Sequence, residues 1–186
     1  MRKTMALFIF IFSLVIMNVA GASPNAKQVV LVPYINSTEE TKEYIGEAVN
    51  EKLKEQFSNE KYQTISGENI QALLVNNGFD VSNNVLPENE LMAVLAKETG
   101  ADYVIAMEIV HFMNSRHVSY FSTSAKSEVK LKYKIYTTAT NKVTTLQTMG
   151  KGNNKVTSIG IPGIGTAMKR GIAQAMDEAF VKIQQL

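Results

Sequence analysis

Hydrophobic and polar positions follow different rhythms along this chain, and each rhythm predicts a different element. Residues 28–36 read QVVLVPYIN, where Val29-Val30-Leu31-Val32 is apolar on both faces, the mark of a strand covered from both sides. Pro33 lacks an N–H and belongs near the end of that strand. From Ser37 to about Asn59 the rhythm changes. Ile45, Val49, Leu53 and Phe57 recur every four residues, with Glu47, Glu51, Lys54 and Glu55 elsewhere, which predicts an amphipathic helix laid on a sheet. Ser37 and Glu40 have capping-box spacing and place the helix start there. The glycosylation pattern Asn36-Ser37-Thr38 overlaps that cap and is read as part of it.

Tyr62–Ile65 is a short second strand. Ser66 caps a helix from Glu68 to about Asn76, which Asn77-Gly78 stops because both residues tolerate positive φ. A polar loop, 79–86, leads to Pro87 in a first helical turn and a third helix ending at Thr99-Gly100. Ala101 to about Phe112 is again apolar on both faces apart from Glu108, a second covered strand. Residues 114–127 are polar and Ser-rich and read as a loop or a weak strand extension. In 128–137, Val129, Leu131, Tyr133 and Ile135 alternate with Lys130, Lys132, Lys134 and Tyr136, predicting a half-exposed antiparallel strand. A hairpin turn at Thr140-Asn141 returns the chain through 142–149. Residues 150–165 hold five glycines and a proline and read as too loose for regular structure. The closing helix runs from Thr166 to about Gln185.

The order β-α-β-α-α-β-β-β-α makes this an α/β (α+β) chain: one domain with a mixed central sheet of about five strands and helices packed on it. The lysine-faced hairpin is expected at an edge, open on one side.

The first 22 residues stand apart. Arg2-Lys3, the apolar run Met5–Ala20 and the small-residue site Ala20-Gly21-Ala22 form a three-part secretory signal, cut between Ala22 and Ser23. The run has 16 residues, short of the roughly 20 that span a bilayer. If it is kept as an anchor, it is the one membrane contact expected. The domain is then 23–186, exported to the periplasm or beyond. Its +2 charge also changes meaning. Of the 19 Lys and Arg, two lie in the signal, leaving 17 against 17 Asp and Glu, a balance that gives no support to nucleic-acid binding. The absence of cysteine removes disulfides, thiolate metal sites and lipid attachment through an N-terminal cysteine.

Catalytic chemistry is thin. His111 and His117 are the only histidines, with no HExxH pattern, and Asp occurs only at 80, 102 and 177. No GxSxG elbow is present. No catalytic, metal or cofactor residue is assigned, and no cofactor is expected. Gly160, Gly163 and Gly165 precede a helix and could cradle an anion at its N-terminus, but their spacing is not GxGxxG and no strand leads into a βαβ unit. The alternative is a plain connection. Lys130, Lys132 and Lys134 could meet an acidic partner, lipopolysaccharide or anionic lipid, or simply keep an exposed strand soluble.

Val30-Leu31-Val32-Pro33-Tyr34-Ile35-Asn36-Ser37 resembles the V-x-V-x-P-F-x-N opening of the curli-assembly (CsgG-like) proteins and of the N-terminal domain of TolB. Gly100-Ala101-Asp102-Tyr103-Val104-Ile105 is similar to their G-A-D-Y-V-I strand entry. Thr137–Val143 occupies the place of their D-x-x-T-G-x-V turn, and Thr166–Leu186 that of their closing helix. The resemblance spans nearly all of residues 28–186. It implies an anticodon-binding/TolB-N-like domain in the bacterial envelope that acts by protein–protein contact. Met107 and Asn141 stand where the group has glycine, the lipidated cysteine is missing, and 113–127 and 150–165 leave little room for transmembrane hairpins. The expected function is a non-catalytic envelope protein that binds another protein or itself. The alternatives are an oligomeric outer-membrane secretion component, and an enzyme or anion binder using the 160–165 loop. The expected partner surface is Lys130, Lys132 and Lys134 with Gly160, Gly163 and Gly165.

Overall fold

A computed structural model describes residues 26–65, 68–119, 122–156 and 163–186. The signal segment, its Ala22/Ser23 cleavage point and Gly160 lie outside the described residues.

The early covered run forms β1 (Lys27–Leu31) and, past Pro33, the two-residue β2 (Ile35–Asn36). These are followed by α1 (Glu43–Phe57), β3 (Tyr62–Ile65), α2 (Glu68–Asn76), α3 (Asn89–Thr99), β4 (Tyr103–Ser119), β5 (Ser122–Thr137), β6 (Lys142–Val156) and α4 (Ile164–Ile183). The expected element order holds. The sheet has six strands rather than about five, in the order β3-β1-β4-β5-β6, with β2 beside β4. β1 pairs in parallel with β3 and β4, whereas β4, β5 and β6 form an antiparallel meander.

Helices cover the sheet unequally. On one face α1 and α4 bury Val29, Ile105, Met107, Ile109, Val129, Leu131, Tyr133 and Ile135. On the other, α2 and α3 bury Val30, Val32, Val104, Ala106 and Tyr136. The four-residue period of α1 lands as expected, with Ile45, Val49, Leu53 and Phe57 all buried. Gly78 and Gly100 end α2 and α3 at φ +73° and +69°, a conformation glycine adopts without a Cβ penalty.

Some expectations are corrected and others are settled. α1 begins after Lys42, not Ser37, and has no side-chain cap. Asn36 instead organises the preceding turn, accepting from the Thr38 N–H at 3.2 Å and donating to the Glu40 carbonyl at 2.7 Å, while the Ser37 hydroxyl turns away to Glu108 at 2.8 Å. Pro87 lies outside α3, whose N-cap is Glu88. Of the two readings of 114–127, the strand extension holds: 114–119 and 122–127 are hairpin strand, because each polar residue has a partner across the ladder from Asn114↔Ser127 to Ser119↔Ser122. Residues 150–156 are also strand, held on β5 by pairs such as Gly150↔Val129 and Gly152↔Ser127. The lysine-faced hairpin does lie at the sheet edge, with β6 outermost and β5 one strand in.

Candidate partner-binding face

α2 and α3 reach only the base of the meander. Beyond the level of Lys134, no described helix lies over the sheet face opposite α4. The strand registers place its side chains in rows: Glu108–Lys132–Gln147, His111–Lys130–Met149, Met113–Glu128–Lys151, Ser115–Lys126–Asn153 and His117–Ser124–Lys155. At the usual strand rise and spacing the face is about 27 Å long and ~10 Å wide.

A β-bulge in β4 decides which residues belong to it. The register passes from Ile109↔Leu131 to His111↔Lys130, so Val110 is the extra residue. Before the bulge, odd-numbered β4 residues face α4. After it, Phe112, Asn114 and Arg116 do, and His111, Met113, Ser115 and His117 turn to the open face.

Five lysines (Lys126, Lys130, Lys132, Lys151 and Lys155) share this face with two glutamates, Glu108 and Glu128. Lys132 lies 4.0 Å from Glu108, and Lys151 lies 3.6 Å from Glu128. Among the described residues no carboxylate comes within ion-pair distance of Lys126, Lys130 or Lys155. The result is a local positive excess on a balanced domain. Apolar groups interrupt it: Met113 is 57% and Met149 44% exposed. Lys134 is different. Its ammonium donates to the Pro87 carbonyl at 2.7 Å and ties β5 to the start of α3.

The expected site residues therefore separate. Lys130 and Lys132 lie on the open face, and Lys134 is engaged at its lower margin. Gly163 and Gly165 are elsewhere: Gly163 precedes α4, its carbonyl accepting from Asn154, and Gly165 lies against the Tyr44 ring. Both belong to the α4 side of the sheet. Sequence reading missed Lys126, Lys151, Lys155, Met113 and Met149. Lys126 shares the parity of Lys130, so extending the alternation of β5 backwards would have found it. Met113 is hidden by the bulge, which no spacing rule reveals.

Two clefts lie off this face. One, of about 590 Å³, runs between Phe79 and Val94 with Asp80, Glu88 and Glu90 on its wall. The other, of about 680 Å³, opens at the carboxyl ends of β1 and β3 beside Tyr34, Lys54 and Ile70. Among the described residues no three His, Asp or Glu side chains converge as metal ligands. No described helix is long and apolar enough to cross a membrane.

No protein-family model matches the chain. No curated protein matches it. Solved structures do. The chain is similar to the hypothetical protein CT253 from Chlamydia trachomatis, at 15% identity over 86% of this chain and 94% of that one, with a TM-score of 0.46. It is similar to lipoprotein GNA1162 from Neisseria meningitidis, at 13% identity over 86% and 99%, with a TM-score of 0.45. It is also similar to a PelC dodecamer subunit from Paraburkholderia phytofirmans, at 14% identity over 84% and 89%, with a TM-score of 0.42.

Proposed function

We propose that this is an exported, non-catalytic protein of the bacterial envelope that binds an acidic protein partner on the open face of β4, β5 and β6. The observation that carries the reading is the uncovered face itself. Antiparallel strands commonly leave one face solvated, with polar residues alternating outward. Here lysines outnumber glutamates, three of them have no carboxylate within ion-pair distance among the described residues, and two methionines lie among them. Flexible, polarisable methionine side chains fit variable apolar groups, while the lysines select an acidic rim. The signal-like first 22 residues support export, and the motif order shared with the curli-assembly and TolB-like proteins supports an envelope role by contact. The candidate catalytic groups remain scattered. His111 and His117 are rows apart on the open face, and Asp102 and Asp177 are engaged with Gln28 and Lys52.

The test is a pull-down from envelope extracts with the wild-type chain and with Lys126, Lys130, Lys151 and Lys155 changed together to Glu. The expected result is a partner retained by the wild type, lost by the variant, and eluted by salt. A partner that binds both chains equally overturns the assignment of the face.

A further inference from the structure

We propose that the lower half of the β6 edge is a self-association site, at which two copies of the chain pair through Val143–Met149 in antiparallel register with Leu146 opposite Leu146. The proposal is independent of the acidic-partner reading, since it uses backbone groups of the sheet edge.

β6 is the outer strand of the sheet, so every second residue directs its N–H and C=O away from β5. The odd-numbered residues do so. The Lys151 N–H is taken by the Gln174 side chain at 2.6 Å, and the Asn153 carbonyl accepts from the Arg170 guanidinium, both reaching over from α4. The upper half of the edge is thus closed by α4. The register from Lys142 to Val156 is unbroken, so Val143, Thr145, Gln147 and Met149 also point outward. No hydrogen bond in the described residues uses their outward groups. The stretch has none of the usual protections: no proline, no bulge and no charge between Lys142 and Lys151.

The side chains suit a second copy. In the proposed register Thr145 faces Gln147, Val143 faces Met149, Thr144 faces Thr148 and Leu146 faces its own copy. No lysine meets a lysine, and β-branched and apolar pairs dominate. The four outward residues of each copy then exchange about eight backbone hydrogen bonds. A shift of two residues either way is worse. In one direction it drives Val143 against Lys151, whose N–H Gln174 already holds, and in the other it drives Met149 against the turn at Asn141. The interface is isologous and closes as a two-fold dimer joining the two sheets into one.

The experiment measures mass by light scattering over a concentration series, using protein expressed from the full coding sequence. Thr145 and Gln147 are exposed and face each other across the proposed interface. The wild type is expected to reach twice the monomer mass. T145K/Q147K and T145E/Q147E, each repelling its own copy, are expected to be monomers with wild-type circular dichroism. Mixed together, they are expected to regain the dimer mass, because each Lys then meets a Glu. A wild type that stays monomeric, a T145K/Q147K chain that still dimerises, or a mixture that does not associate overturns the proposal.

Discussion

Gly150 of β6 lies directly beneath Gly171 of α4. A Cβ built at Gly150 would fall inside contact distance of the Gly171 carbonyl oxygen, and one at Gly152 would meet the Ala167 carbonyl in the same way. Helix and strand backbones touch here with no side chain between them, and Ala167, Gly171 and Ala175 keep the helix side equally flat. This contact makes 150–156 a strand. Glycine destabilises a free strand, but here any other residue would push α4 off the sheet. Gly150→Ala and Gly152→Ala are therefore expected to lower stability by about 2–3 kcal/mol or more, read by urea unfolding. Gly163→Ala, where among the described residues a Cβ would find only the Thr166 hydroxyl at 3.6 Å, is expected to change stability by less than ~0.5 kcal/mol.

Tyr133 is buried under α4, and its hydroxyl has no hydrogen-bond partner in the described structure. Burial, with the nearby Asp177 charge adding to it, holds its pKa well above the ordinary 10.0. The folded chain keeps this phenol neutral while the unfolded chain ionises. Its contribution to stability is complete below pH 10 and is lost as the pH rises above it. Tyr133→Phe removes both the orphan hydroxyl and the titration. It is expected to raise stability at pH 7 by about 1 kcal/mol and to flatten the loss above pH 10, checked by urea unfolding at several pH values.

Lys134 and Lys130 are four residues apart on one strand face but differ in role. Lys134→Ala leaves the Pro87 carbonyl without its charged donor and uncovers the α3 start, and is expected to cost about 1–2 kcal/mol. Lys130→Ala, with no side-chain partner to lose among the described residues, is expected to stay within ~0.5 kcal/mol of the wild type while weakening partner capture. Thermal melts beside the pull-down separate the two roles.

Asn36, not Ser37, organises the chain before α1. Asn36→Ala removes the bonds to Thr38 and Glu40 and is expected to destabilise by about 1–2 kcal/mol. Ser37→Ala loses one exposed bond to Glu108 and is expected to fall within ~0.5 kcal/mol of the wild type. The reverse ranking by urea unfolding would restore Ser37 as the helix cap.

The sequence by itself determined the identity and order of the elements, because period and stop signals are local properties. The every-fourth-residue stripe of α1, the alternation from Val129 to Ile135, and the positive-φ stops at Gly78 and Gly100 are all set by neighbours a few residues away. Three of the lysines it singled out do lie on one strand face. Tertiary structure decided what depends on distant chain. Ser115, Lys126 and Asn153 look like loop residues until the ladder pairs them, and Gly150 and Gly152 look like a linker until α4 presses on them. The Val110 bulge, which turns Met113 and the histidines onto the open face, and the ranking of β5 as interior and β6 as edge are likewise fixed only by strand pairing. Pairing is a choice among partners tens of residues apart, and a local pattern carries no record of which partner wins.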